Sequence, residues 1–397
     1  MKLSDRALNI NPSPTLSIDA EAKEMAANGH NVVSFGAGEP DFDTPDYIKE
    51  AAIAAIHAGK TKYTPVTGIS DLKNAICLKY RLEQGIEYKP EQIVVSAGAK
   101  HSLYNAMQVL VQAGDEVILP APYWVSYLEQ IRLAGATPRI VETREENDFK
   151  LTPAELESVI GPRTRLFILN SPNNPTGTVY TVKELEALGE VVERHDLMVI
   201  SDEIYEKLIY NGLKHVSIAS FSPELKERTV VINGVSKAYA MTGWRIGYAI
   251  AAKPVAKGMG DLQSHSTSNP TSIAQYASVA ALTGDQSDTK RMKAEFLRRR
   301  NYMLDRLRAI EGVTCTRPGG AFYLYPNVKS CFSQRYKGSP INTATDLAAI
   351  LLQEAKVAVV PGIAFGNDNY FRLSYACSME KITEGLDRIT DLLKKIN

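Results

Sequence analysis

From about residue 91 onward the chain alternates short apolar runs with stretches of helical periodicity, and this alternation limits the fold more than any other feature. The runs are Ile93–Ala97, Glu116–Leu119, Thr137–Glu142, Leu166–Asn170, Leu197–Asp202, Thr229–Asn233 and Ile246–Ala251, most of them rich in Val and Ile and bounded by turn residues. They predict seven strands. Between most of them lie helical stretches such as Thr181–Arg194, where Thr181 is placed to cap, Glu184 sits at the third helical position, and Leu185, Leu188 and Val192 share one face. Strand, helix and strand in repetition imply an α/β fold with a buried, largely parallel sheet.

A length of 397 residues predicts two packed domains. The pattern turns long and helical from Ser272 to Ile310, with a basic cluster at Arg298, Arg299 and Arg300, and a second set of elements begins at Val313. That set comprises Gly320–Tyr325, a helix near Thr345–Lys356, Val357–Val360, Tyr370–Tyr375 and a closing helix Met379–Ile396. The expected division is a large domain over residues 42–308, and a small α+β domain built from 309–397 and an N-terminal arm, 1–41.

Charge excludes some functions. Lys plus Arg number 45 and Asp plus Glu number 45, so no net field holds the chain on nucleic acid or an anionic membrane, and neither is expected as a partner. Cys77, Cys315, Cys331 and Cys377 never fall at CxxC spacing, which speaks against a zinc site or a disulfide framework and for reduced thiols. No metal is expected. Met1 to Asn11 is polar and charged, and no uninterrupted apolar run approaches ~18 residues, so a cytoplasmic protein is expected.

Ligands in open α/β sheets bind beyond the carboxyl ends of the strands, and four predicted strands end in polar clusters. These are Ser96–Lys100, Asn170–Gly177, Ser201–Tyr205, and Gly234–Lys237 with Arg245 eight residues on. The dinucleotide fingerprint is missing, since Gly36-Ala37-Gly38-Glu39-Pro40-Asp41 lacks a third glycine and runs into proline, and no phosphate-binding G-x-x-x-x-G-K-[ST] loop occurs. What remains is a lysine at one strand end, a carboxylate and a tyrosine at another, an asparagine at a third, and small residues opening a helix at the fourth. Pyridoxal 5'-phosphate asks for this set: an amine for a Schiff base, a carboxylate to keep the pyridine nitrogen protonated, donors for the phenolate oxygen, and helix-start amides with an arginine for the phosphate.

Seven motifs then carry a resemblance: Gly36–Phe42 (GAGEPDF), Lys62-Tyr63, Pro122–Tyr127 (PYWVSY), Ser171–Gly177 (SPNNPTG), Ser201–Tyr205 (SDEIY), Ser236–Tyr248 (SKAYAMTGWRIGY) and Phe371–Ala376 (FRLSYA). In this order, nearly end to end, the chain resembles the class I aminotransferases of the aspartate aminotransferase family, in its bacterial and plastid branch. The resemblance implies that Lys237 bonds the cofactor aldehyde and moves the substrate α-proton. It implies that Asp202 pairs with the pyridine nitrogen, that Asn174 and Tyr205 donate to the phenolate oxygen, and that Trp124 stacks on the ring. Gly98, Ala99, Lys100, Ser236 and Arg245 would surround the phosphate, and Tyr63 would reach the phosphate of a second copy, making the active unit a homodimer.

For the substrate, the resemblance places Arg372 on the α-carboxylate, a task for bidentate geometry, with Gly38, Trp124 and Asn174 beside it. The plain alternative for Arg372 is an ordinary strand ion pair. A dicarboxylic substrate needs a second cation, which the family branch supplies at Lys100, with hydroxyls from Ser13 or Thr15 in the segment over the distal carboxylate. Similar enzymes with Thr15 and Lys100 also act on prephenate. The expected activity is reversible amino transfer from aspartate to 2-oxoglutarate; preference among aspartate, glutamate and prephenate stays open. An aromatic or alanine aminotransferase, a lyase on the same scaffold, or the sensor domain of a transcription regulator are the alternatives.

Overall fold

A computed structural model of the chain describes residues 2–396. Seven strands form the central sheet: β1 (Ile93–Ser96), β2 (Glu116–Ala121), β3 (Thr137–Glu142), β4 (Thr164–Asn170), β5 (Met198–Asp202), β6 (Thr229–Gly234) and β7 (Gly247–Ile250). Each predicted run is thus a strand, with ends within two residues of those expected. Their spatial order is β1-β7-β6-β5-β4-β2-β3. The pairs β3–β2, β2–β4, β4–β5 and β5–β6 are parallel, whereas β7 runs antiparallel to both β6 and β1.

Both faces of the sheet are covered over most strands, which explains why these read as continuous apolar runs, whereas the edge strand β3, TPRIVE, is largely exposed. Ile168 and Ile200 face Leu103, Met107 and Ile131, while Phe167, Leu169 and Val199 face Leu185, Leu188 and Val192 on the other side. The helix Val182–Arg194 begins as expected: Thr181 accepts from the Glu184 amide, and Glu184 answers the Thr181 amide, closing a capping box. Chain order reverses between β2 and β4, so the carboxyl edge of the sheet opens a crevice beyond Ala121, Asn170 and Asp202.

The helical stretch from Ser272 is two helices, Ser272–Thr283 and Ser287–Arg308. They part at Gly284, where a Cβ would lie 2.6 Å from the Tyr47 ring and 2.7 Å from the Ala280 carbonyl oxygen. The arginine cluster is split in role: Arg298 pairs with Glu295 on the surface, Arg299 is buried against Glu295 and Asp41, and Arg300 is buried with a bond to the Pro318 carbonyl.

The following chain forms an antiparallel three-stranded sheet of Tyr323–Leu324, Phe371–Ser374 and Val360–Pro361. The expected run Val357–Val360 is divided, because Val357–Ala358 pairs in parallel with Val33–Ser34 from the N-terminal arm. The expected helix near Thr345 is Ala344–Ile350 and widens into a π turn at Leu351–Ala355. The closing helix Met379–Leu393 lays Ile382, Leu386 and Ile389 in one apolar cluster with Val33 and Phe35. All four cysteines are free, and among the described residues no helix is long and apolar enough to cross a membrane.

A tight backbone contact lies behind the first turn of the helix Ala99–Leu110. A Cβ on Gly247 would sit 2.1 Å from the Ala99 amide nitrogen and 2.4 Å from the Gly98 carbonyl carbon, both rigid backbone atoms. Gly247→Ala must therefore push that helix start off the sheet. A loss of about 1–3 kcal/mol or more is expected, and denaturant unfolding checks it.

Candidate active site

A cavity of about 650 Å³ opens at the carboxyl edge of the sheet. Every residue singled out from the sequence lines it except Gly98 and Tyr63. The reason is topological. Asp202 ends β5, Lys237 follows the end of β6 by three residues, Trp124 caps the helix after β2, and Asn174 lies in the loop leaving β4.

Asp202 is buried. Its Oδ2 accepts from the Tyr127 hydroxyl at 2.7 Å and its Oδ1 from the Ile204 amide at 3.2 Å. Burial nonetheless pushes its pKa up to about 6, against those hydrogen bonds and a weaker downward pull from Lys237. A carboxylate so placed lacks a cationic partner. Lys237 shows the reverse: burial lowers its ammonium to about 8, partly opposed by the Glu39 carboxylate and reinforced by Arg245 and Arg372. Its Nζ donates to the Gly38 carbonyl oxygen.

Arg372 comes from the strand Phe371–Ser374 and is buried. Nη1 donates to Asn174 Oδ1 at 3.1 Å and Nη2 to the Gly36 carbonyl at 2.8 Å. Its Nε is buried without a partner, and the guanidinium lies 4.5 Å from the centre of the Tyr323 ring. No carboxylate pairs with it among the described residues, so the plain reading as a strand ion pair fails. Asn174 is itself fixed, since its amide donates to Asn170 Oδ1 at 2.9 Å while Asn170 Nδ2 donates to the Asp202 carbonyl at 3.0 Å. Tyr205 meets the Tyr323 hydroxyl at 2.9 Å.

At the opposite wall the helix Ala99–Leu110 starts, and its first amides carry no intrahelical acceptors. Gly98 caps it at φ +91°, and a Cβ there would lie 2.2 Å from the Arg245 guanidinium. Gly98 therefore sits behind the lining and lets Arg245 approach the helix start. Ser236 is buried beside Lys237. The Lys100 ammonium lies 4.9 Å from the Trp124 ring centre, and its pKa is lowered by burial and then by Arg245. Over the mouth, Ser13 and Thr15 share a hydroxyl hydrogen bond of 2.9 Å at the start of the helix Pro14–Ala27. Tyr63 stands apart, 92% exposed.

A family model for aminotransferase class I and II matches residues 30–389. The chain belongs to this aminotransferase family. It is 53% identical to the aspartate aminotransferase of Geobacillus stearothermophilus over 98% of both chains. It is 49% identical to the aspartate/prephenate aminotransferase of Cereibacter sphaeroides, over 98% of this chain and 97% of that one. The crystal structure of the aspartate aminotransferase from Rhizobium meliloti superposes with a TM-score of 0.97 at 43% identity, covering 100% of both chains.

Within this aminotransferase cavity the structure adds residues to which the sequence analysis assigned no role. Tyr127 holds Asp202, and its place in PYWVSY three residues after Trp124 was a usable signal. Asn170, the last residue of β4, ties Asn174 to the Asp202 backbone. Glu39 accepts from the Thr242 hydroxyl at 2.6 Å on the Lys237 side of the cavity. Tyr323 gave no local signal, because its hydroxyl partner lies 118 residues away.

The raised Asp202 pKa has a thermodynamic sign. The cofactor-free folded chain holds this proton up to about pH 6, whereas an unfolded aspartate releases it near pH 4. The group thus costs stability as pH rises between those values, by about 3 kcal/mol at most. Asp202→Asn should show no such loss. Its stability relative to wild type, measured by urea unfolding without cofactor, should rise from about pH 4 to about pH 7 and level off above.

Proposed function

We propose that this chain is a cytoplasmic aspartate aminotransferase that binds pyridoxal 5'-phosphate and transfers amino groups reversibly between aspartate and 2-oxoglutarate. The observation that carries the proposal is the set of unpaired charges in one cavity: the Asp202 carboxylate, the Lys237 amine, and the Lys100, Arg245 and Arg372 cations, none in an ion pair among the described residues. Such a cavity suits a dianionic phosphate ester with a basic ring nitrogen, together with a dicarboxylic acid. The residues fit the cofactor: a ring N–H would supply the cation that buried Asp202 lacks, and the Gly98–Arg245 cradle leaves the helix-start amides free for a phosphate.

The cofactor, when bound, supplies an aldehyde and an electron-withdrawing ring that make the α-proton of an amino acid removable. The chain's own residues do the rest. Lys237, with its ammonium lowered to about 8, has an appreciable free-amine fraction near neutrality and can carry a proton to and from the substrate α-carbon. Asp202 would keep the ring nitrogen protonated, and Asn174 and Tyr205 would donate to the ring oxygen. Trp124 would give an apolar face, and the backbone amides of Ala99 and Lys100, with Ser236 and Arg245, would surround the phosphate. Arg372, with its unpartnered Nε, receives the α-carboxylate beside Gly38; Lys100, Ser13 and Thr15 receive the distal one. Prephenate as acceptor is a second reading, favoured by the aspartate/prephenate relative and by the Thr15 and Lys100 pair.

The test is a panel of amino donors and acceptors. Aspartate with 2-oxoglutarate should be used well, and glutamate with prephenate should show whether the second activity is present. Lys237→Ala should bind cofactor and lose turnover. Lys100→Ala should lower kcat/KM for dicarboxylates roughly ten- to hundred-and-fifty-fold, the worth of a charge-assisted hydrogen bond, and leave phenylalanine and alanine unchanged. An equal fall for all substrates refutes the dicarboxylate assignment.

The proposal extends to organisation: a large cofactor domain over 42–308, a small domain of 1–41 and 309–397, and a homodimer. Support for the dimer comes from Tyr63, an aromatic exposed beyond any role in its own cavity. A hybrid of Tyr63→Phe and Lys237→Ala subunits then contains one intact site and one doubly defective site. Mixing the two variants should restore activity above the mean of the separate proteins, measured after dissociation and reassociation.

A further inference from the structure

The segment Asp202-Glu203-Ile204-Tyr205-Glu206 carries two carboxylates that the reaction does not use. Asp202 and Tyr205 line the cavity, while Glu203 and Glu206, each one residue further on, are buried away from it. Glu203 is almost fully enclosed: Oε1 accepts from the Ser217 hydroxyl at 2.6 Å and the Ser201 hydroxyl at 3.0 Å, and Oε2 faces His215 Nε2 at 3.0 Å and the Tyr80 hydroxyl at 3.4 Å. Glu206 lies 2.6 Å from the Lys79 ammonium, which also reaches Glu83 at 3.2 Å; Glu83 in turn meets Lys207.

Glu203, Glu206 and His215 could each offer a ligand atom within 4.8 Å of the others, as a metal site would. Lys79 already occupies the cationic place among them. The three carboxylates of the cluster face two ammonium groups, so charge balance is complete only with an imidazolium at His215. Burial alone would lower His215, but Glu203 and, behind it, Glu206 raise it above its ordinary value while Lys79 opposes them. His215 Nδ1 is buried without a partner, so Glu203 is the ring's one hydrogen-bonded anchor among the described residues. The network also reaches the neighbouring strand end: Asn233 Nδ2 donates to the Tyr80 hydroxyl at 3.1 Å, and Asn233 Oδ1 accepts from the Gly234 amide at 2.8 Å, three residues before Lys237.

We propose that His215 and Lys79 are positioning residues for the amino-transfer reaction, acting through Glu203 and Glu206 from behind the sheet edge to hold Asp202 and Tyr205 toward the cavity. Each cavity-facing group is followed by a rear-facing acid fastened to its own buried cation. The turn therefore cannot rotate without separating a buried ion pair, whose isolated charge is costly. The inference rests on the aminotransferase reading above.

The test compares wild type, His215→Gln and the double variant His215→Gln/Glu203→Gln, which removes the stranded charge and keeps the shape. In the cofactor-free chain the Tm gap between wild type and His215→Gln should be largest near pH 6 and narrow as pH rises through the raised histidine pKa, since a raised histidine stabilises only while protonated. With cofactor, His215→Gln should raise the dissociation constant for pyridoxal 5'-phosphate and lower kcat, each roughly ten- to hundredfold as expected for misplaced reacting groups, with little change in KM for aspartate. The double variant should recover most of both. A Tm gap independent of pH overturns the charged pair. A fall in Tm with unchanged cofactor affinity and kcat shows a merely structural role and overturns the inference alone. A wild type that binds no cofactor overturns the functional reading, whatever the variants do.

Discussion

A carboxylate buried without a cation is the constraint around which this cavity is arranged. Asp202 ends β5 with a hydroxyl and an amide for company, and burial lifts its pKa to about 6. A fold keeps such a group only if something outside the chain completes it, because an uncompensated internal charge lowers stability. The other unpaired groups follow the same logic. Arg372 has an unmet Nε, Lys100 a cation set against an indole and near Arg245, and Lys237 an amine made easier to deprotonate. These groups become mutually sensible once a ring nitrogen, a phosphate and two carboxylates are placed among them.

The sheet explains why these residues meet. They come from positions 13 to 372 of the chain, yet most follow the carboxyl end of a strand, and parallel strands bring those ends to one edge. The antiparallel strand β7 serves the same purpose differently: Gly247 lets the backbone of Gly98 and Ala99 approach, so that the helix start and Arg245 share one wall. Backbone closeness at two glycines thus sets the position of a guanidinium.

Much of this was readable in the residues. Strand limits were legible because most of the sheet is buried on both faces and most of the runs are apolar, and Thr181 with Glu184 marked a helix start that the capping box reproduces. At the break between the two helices, what requires glycine at 284 was hidden, since the ring of Tyr47 that would meet a Cβ there lies far away in sequence. The division of Val357–Val360 between two sheets was hidden likewise, because it depends on Val33 supplying a partner. In the cavity, the motifs marked most of the lining, whereas the roles of Tyr323, Asn170 and Glu39 show only in their contacts with Tyr205, the Asp202 backbone and Thr242. Short-range pattern reveals which groups carry chemistry; the groups that orient them are distributed by tertiary packing.

The helix Pro14–Ala27 buries only Ala22 among its own residues, although Ser13 and Thr15 at its start help line the cavity. Side chains that line a cavity from such a lightly anchored element can be exchanged with little harm to the folded state. The reacting groups, by contrast, stand on strand ends embedded in the core. This separation makes the molecule evolvable in one direction: the lining of its cavity can drift through the helix Pro14–Ala27 while the groups on the strand ends stay fixed.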